Sequence, residues 1–206
     1  MTRALLIVDV QNDFTEEGAL AVQGGDAVAV GITDYLRAHP DRYDVVIASR
    51  DWHNPPAGDS GTVDDNGGHF ALDAEPDYVD TWPVHCVAGT VGAQYDPGLD
   101  IGLIDVHVLK GQGVPAYSMF EGSTEDGDEL TTVLDKLQVD DVDVVGIATD
   151  YCVRASALDA LASGRHVRVI DDLIAGVAPE SSEAALREIA RAGGDIESST
   201  GKDLRT

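Results

Sequence analysis

Hydrophobic positions along the chain fall into short, nearly continuous runs. Ala4–Val8, Val45–Ser49, Asp105–Leu109, Val142–Ile147 and Val167–Ile170 are each dense in valine, isoleucine or leucine. A strand with one wet face would alternate apolar and polar residues, so runs of this kind predict strands covered on both faces, as in a parallel sheet. Between them the apolar spacing lengthens to three or four residues, which predicts helices over about Asp26–Ala38, Glu129–Leu137, Cys152–Ser163 and Pro179–Ala192. In the third, Val153, Ala157 and Leu161 share one face. Proline opens the fourth, where a missing N–H costs the helix nothing. Strands alternating with helices through short connections predict an α/β fold: a three-layer sandwich with a mainly parallel central sheet and helices on both faces. At 206 residues the chain reads as a single domain, 1–206.

The rhythm breaks from Arg50 to about Leu103, a stretch (about 50–103) dense in Gly, Pro, Asp and His and without a period. Long loops inside compact domains are uncommon and usually functional. A second such loop, GQGVPAYSMFEGSTEDG, follows Lys110, and the polar tail, about 196–206, is expected to fray.

Ligands of open α/β sheets bind beyond the carboxyl ends of the strands. ALLIVD ends there on Asp9, VVIASRDWH runs into Asp51 and His53, DVHVLK ends on Lys110, and VVGIATDYC reaches Cys152 at a helix start. Taken alone, Cys152 reads as a small buried residue, and Asp9 with Lys110 as a structural ion pair. Together they read differently. Asp9 can accept the thiol proton, while Lys110 and the helix N-terminus favour the thiolate. Backbone N–H groups near Ala148 and Cys152 would be placed for an oxyanion, which completes the parts of nucleophilic acyl transfer.

The long loop adds DWH, GGHF and WPVHC. Asp51 and His53 alternate along a strand and so point the same way, and His69 and His85 can return to them from the loop. One aspartate and three histidines suit a borderline divalent ion, Zn, Fe or Mn. The spacing matches no standard metal signature, so ordinary loop histidines are the competing reading. Cys86 reads as a buried loop cysteine or a further ligand, while His39, His107 and His166 fall outside the cluster. Phe14 and Trp82 either wall a planar substrate or pack the loop.

Charge narrows the partners. Thirteen basic residues against 38 acidic ones leave a formal net charge of −25, which repels nucleic acid and anionic membranes alike. The excess serves solubility or adaptation to high salt; only Lys110, Lys136 and Lys202 are lysines, in keeping with the second. No apolar run approaches the roughly 18 residues of a membrane span, MTRALLIVDVQNDF has no signal-peptide pattern, and two cysteines make no disulfide framework. A cytoplasmic protein with a small-molecule substrate is expected, as a monomer or a homo-oligomer.

VDVQNDF, RDWH, WPVHC, the LKG lysine and GIATDYCV, in this order, resemble the nicotinamidases (pyrazinamidases) of the isochorismatase-like cysteine hydrolase superfamily, over about residues 3–195. The D-x-H with two later loop histidines marks the metal-containing branch. The resemblance implies the isochorismatase-like hydrolase fold and a catalytic triad of Asp9, Lys110 and Cys152. It implies an oxyanion hole from the N–H groups of Ala148 and Cys152, beside a cis Ile147–Ala148 peptide. Asp51, His53, His69 and His85 would hold one divalent ion, and Phe14 and Trp82 would pack on a pyridine ring in a pocket lined by Tyr117 and Tyr151. The implied reaction, a step of pyridine nucleotide salvage, is hydrolysis of nicotinamide (and pyrazinamide) to the acid and ammonia through a thioester. Anchoring the pyridine nitrogen and activating the deacylating water are both roles open to the ion. Another small-amide or N-carbamoyl amidohydrolase is the alternative, and a catalytically silent metal- or ligand-binding homologue the remote one. Departures from the family pattern are Tyr151 where relatives often have histidine, the insertion-like PPAGDSGTVDDNGG, Pro115, and Met119 in place of a smaller residue.

Overall fold

The structure is a computed structural model that describes residues 2–57, 63–72 and 75–201. Six strands form one sheet: β1 (Thr2–Val8), β2 (Val45–Asp51), β3 (Val106–Lys110), β4 (Val139–Ile147), β5 (His166–Ala175) and β6 (Asp195–Glu197). Their order is β3-β2-β1-β4-β5-β6, and every neighbouring pair is parallel. Four helices cover it: α1 (Gly25–Ala38), α2 (Leu130–Lys136), α3 (Arg154–Ala162) and α4 (Pro179–Arg191).

The apolar runs explain the layers. Successive β1 residues point to opposite faces: Leu5 and Ile7 pack with Val28, Ile32 and Leu36 of α1, while Ala4, Leu6 and Val8 pack with Leu134 of α2, Ala157 of α3 and Ile189 of α4. Both faces are dry, as the lack of alternation predicts. Chain order runs outward from β1 on one side and from β4 on the other, so the β1/β4 boundary is the topological switch point, where such sheets open a crevice at the strands' carboxyl ends.

Several boundaries move. β4 begins at Val139, three residues before the predicted start, and β5 runs on to Ala175 through the exposed Asp171 and Asp172. β6 occupies the start of the predicted tail; it is too short and polar to register as an apolar run. The helix expected from Cys152 starts at Arg154. Before it the chain makes one wide turn over Thr149–Val153, in which the Val153 N–H donates to the Ala148 carbonyl at 3.1 Å. Gly146 lies at φ +114°, and a Cβ there would stand 2.2 Å from the Val8 carbonyl oxygen, so only glycine lets β4 pass β1 this closely. The long loop carries one short 3-10 turn, Ile101–Leu103, among its described residues. Part of its insertion-like stretch, residues 58–62, lies outside the described ones. Among the described residues no helix is long and apolar enough to cross a membrane.

Candidate active site and metal centre

The predicted strand-end residues do converge. Asp9 follows β1 directly at a left-handed φ of 48°, Asp51 and Lys110 end β2 and β3, and Cys152 stands in the wide turn after β4. Parallel pairing sets Asp51 opposite Lys110 across β2 and β3. Lys110 is 1% exposed, and its Nζ lies 2.9 Å from Asp9 Oδ2, 3.8 Å from Cys152 Sγ, and within 3.3 Å of the Ala116 carbonyl. It also pairs closely with Asp51 Oδ1. A single ammonium thus serves two buried carboxylates and a thiol.

The electrostatics follow from that count. Burial pushes the Asp9 carboxyl above its ordinary range, against the opposing pull of Lys110. Burial would raise Asp51 too, but there Lys110 wins, and the carboxyl is held well below the usual range. The Cys152 thiol is pushed well up, first by burial and then by Asp9 and Asp51, with Lys110 opposing. The sequence-based expectation that Lys110 favours the thiolate holds in direction, but two carboxylates and burial outweigh it. The resting form is therefore a thiol beside a carboxylate with raised proton affinity. The Ser49 hydroxyl donates to Asp9 Oδ1 at 2.7 Å, whereas Oδ2 is buried without a hydrogen bond although paired with Lys110 by charge. That oxygen can accept a proton.

A few ångströms away, His53, His69 and His85, all buried, bring one ring nitrogen each within 4.8 Å of the others. The Nδ1–H of His53 donates to the Gly111 carbonyl at 2.9 Å and that of His85 to the Pro83 carbonyl at 2.7 Å. Since a carbonyl can only accept, Nδ1 of each ring carries a proton and Nε2 is turned away from it, as in imidazoles whose metal-binding nitrogen is aimed by a hydrogen bond at the other. His53 Nε2 and His69 Nδ1 are buried without a partner. Burial brings the pKa of His69 and of His85 down to about 4, leaving both neutral at pH 7. Asp51 Oδ2 faces the same space, 3.7 Å from His53 Nε2 and 4.0 Å from His85 Nε2. Three buried imidazoles, two of their ring nitrogens without a partner, and one carboxylate oxygen fit a borderline divalent cation. Cys86 is fully buried in the core beneath α1, its N–H held by Asp13 Oδ2 at 2.7 Å, and it belongs to neither cluster of candidate ligands among the described residues.

Both clusters open on one pocket of about 280 Å³. Phe14, Trp82, Tyr117, Tyr151, Ala148 and Cys152 line it, as do Asp51, His69 and His85. Trp82 donates its Nε1–H to the Tyr117 hydroxyl at 3.1 Å and meets the Tyr151 ring edge-on at 5.1 Å, so the aromatic wall is internally fixed. Tyr78, Leu20 and Val177 complete the mouth and were not foreseen, since nothing in their sequence context sets them apart. The Ile147–Ala148 peptide is cis, as the resemblance implies. Two supporting residues were also missed. Ser49 sits two positions before Asp51 on β2, the spacing of one strand face. Gln11 is wholly buried and brackets the Asp51 backbone, accepting its N–H at 2.8 Å and donating to its carbonyl at 2.9 Å.

Comparison with known proteins agrees with this geometry. An isochorismatase domain model matches residues 3–200. The nicotinamidase/pyrazinamidase of Mycobacterium tuberculosis is 49% identical over 187 residues, covering 91% of this chain and 94% of its own. The structure of a Pyrococcus horikoshii pyrazinamidase in complex with zinc superposes with a TM-score of 0.78 at 34% identity, covering 96% of this chain and 99% of that one. PnC1 from L. infantum in complex with nicotinate gives 0.78 at 31% identity, with coverages of 97% and 93%. The chain belongs to the isochorismatase family.

Proposed function

We propose that the protein is a nicotinamidase: a metal-containing cysteine amidohydrolase, acting as one cytoplasmic isochorismatase-like domain, that converts nicotinamide to nicotinate and ammonia and also accepts pyrazinamide. The observation that carries this reading is one aromatic-walled pocket lined by Cys152 and by His69 and His85, with Asp9 and Lys110 clustered on the thiol and His53 on the other two histidines. A flat ring fits between Phe14 and the Trp82 side, with its carboxamide towards Cys152 and its ring nitrogen towards the histidines. His53, His69, His85 and Asp51 would hold a zinc, iron or manganese ion. A bound ion supplies a Lewis-acidic anchor for the pyridine nitrogen.

The protein's own groups carry the reaction. Asp9 takes the Cys152 proton as Sγ attacks the amide carbon, and the oxyanion is received by the N–H groups of Ala148 and Cys152. The raised proton affinity of Asp9 suits this step, because it makes the carboxylate a stronger base towards the thiol. The C–N bond breaks as Asp9 returns the proton to the leaving nitrogen, and ammonia departs from a thioester. Water then loses a proton to Asp9 and attacks the thioester carbon. The C–S bond breaks, Cys152 recovers its proton, and nicotinate leaves. Lys110 keeps Asp9 oriented and offsets the negative charge that moves between Asp9 and Sγ.

The test is ammonia release from nicotinamide by purified protein, before and after chelation and re-addition of zinc, iron or manganese. Turnover lost on chelation and restored by one ion is expected, together with no turnover in Cys152→Ala at unchanged metal content. Absent turnover in every metal form, with release from an N-carbamoyl amide instead, would overturn the substrate assignment.

A further inference from the structure

Helix α4 begins without a capping side chain of its own, since its N-cap position is Ala178. A carboxylate from elsewhere in the fold holds the two residues that lead into it and one hydroxyl of its first turn. Asp150 Oδ1 takes the Val177 N–H at 3.0 Å, and Oδ2 takes the Ala178 N–H at 3.2 Å and the Ser181 hydroxyl at 2.6 Å. A carboxylate at a helix N-terminus is favoured by both the unpaired N–H groups and the helix dipole. Asp150 is 9% exposed and stands two residues before Cys152, inside the wide turn. The approach to α4 is packed on that turn: a Cβ on Gly176 would lie 2.0 Å from Ser182 Oγ and 3.1 Å from Thr149 Cβ. Val177, held by Asp150, is itself a pocket residue.

A turn closed by an i to i+5 hydrogen bond is rarer than an α-turn and frequent at functional sites. Here a single carboxylate with three donors ties it to a 13-residue helix. We propose that Asp150 is a positioning residue for acyl transfer: by fastening the Thr149–Val153 turn to the first turn of α4, it holds the N–H groups of Ala148 and Cys152 on the carbonyl oxygen of a bound amide. This rests on reading Cys152 as the nucleophile. Phe14, Trp82 and the three clustered histidines lie outside the clamp, while Tyr151 and Val177 touch the pocket only with their side chains, so its loss falls chiefly on the chemical step.

Asp150→Ala, Asp150→Asn and Ser181→Ala are compared with wild type by kcat and KM for nicotinamide, by alkylation of Cys152 with chloroacetamide, and by hydrogen exchange of the amides of residues 149–153. Displacement at a saturated carbon needs no oxyanion hole, so alkylation reports the thiol alone. Asp150→Ala is expected to lower kcat about 100-fold, the scale of a misplaced reacting group. KM and the alkylation rate stay within about twofold, and exchange at 149–153 speeds up. Asparagine keeps one acceptor oxygen and restores part of kcat, and Ser181→Ala gives a smaller loss of the same kind. Unchanged kcat in Asp150→Ala, or alkylation falling in step with kcat, overturns the proposal. Should Asp150→Ala not fold, the other two variants decide by the same criteria. A wild type that releases no ammonia while exchange still rises in the variants would sink the nicotinamide reading and leave the clamp standing; unchanged exchange would sink the clamp.

Discussion

Gly111→Ala should strip metal from the protein without touching a ligand. Gly111 follows β3 at φ +82°, and a Cβ built there would stand 2.5 Å from Cε1 and 2.7 Å from Nδ1 of His53. Ordinary contact begins at 3.4 Å, so the ring must retreat by about 0.9 Å, enough at a packed site to break its hydrogen bond. The bond at risk is the 2.9 Å contact from His53 Nδ1–H to the Gly111 carbonyl, which fixes the ring's tautomer and direction. Left-handed backbone costs alanine about 1–2 kcal/mol, and the lost hydrogen bond about 1 kcal/mol. Together these lower Tm by roughly 4–12 °C for a chain of this size. Losing the hydrogen bond that aims a ligating ring weakens metal binding about 10–100-fold. Gly127→Ala is the control: Gly127 has φ +83° with nothing within 4 Å of its Cβ position, so it carries the backbone strain alone. Metal content is measured by elemental analysis after dialysis against a series of metal buffers, and ammonia release with and without excess ion. Gly111→Ala should need more metal for half-occupancy and regain turnover when metal is supplied, while Gly127→Ala should only lose stability. Equal metal affinity in the two variants would refute the reasoning.

Lys110→Met leaves two buried carboxylates without their cation, and breaking such a pair costs about 3–5 kcal/mol; scanning calorimetry should show a large fall in Tm with turnover lost, and a Tm near wild type would contradict the charge count at the site. Trp82→Leu removes the aromatic wall and its hydrogen bond to Tyr117, so KM for nicotinamide should rise about tenfold or more at unchanged metal content; an unaltered KM would take Trp82 out of ring binding. Tm of the metal-loaded protein should rise between 0.1 and 1 M NaCl, as the Debye length shortens from about 10 to 3 Å and the −25 charge is screened; a flat or falling Tm would show that self-repulsion is no burden.

The runs around Leu6, Ile47, Val108, Val144 and Val169 were enough to expose β1 to β5, because strands dry on both faces leave no alternation to misread, while the short, polar β6 left no run at all. What they could not carry was adjacency. The pairing of Asp51 with Lys110 depends on β2 and β3 lying side by side in one register, a tertiary choice with no local signal. Hydrophobic spacing also cannot distinguish the wide turn over Thr149–Val153 from the first turn of α3, since Val153 is buried in either case. The histidines were visible as residue types, but their convergence rests on aperiodic chain between Asn54 and Val84. Isolated bridges, His53 with Val87 and Phe70 with Trp82, tie the loop to the chain just after β2 and to itself.

In the proposed enzyme, Asp51 would let a nucleophilic thiol and a metal ion share one pocket. Cysteine is itself a strong ligand for zinc, and an ion that captured Sγ would silence the nucleophile. Sγ clusters with the oxygens of Asp9 and Asp51, while the three imidazoles cluster among themselves, and Asp51 is the residue that faces both. Its Oδ1 is committed to Lys110, which leaves Oδ2 for the histidine side. Lys110 therefore stands on the thiol's side of that carboxylate, with Nζ 3.8 Å from Sγ, and a cation drawn towards Sγ would meet a buried ammonium there. Burial and the two carboxylates push the Cys152 thiol towards its protonated form, which would weaken it as a ligand until, in the proposed mechanism, Asp9 takes the proton. On the proposed mechanism, the same ammonium that offsets Asp9 would thus keep nucleophile and ion apart, a role that an uncharged residue at position 110 could not fill.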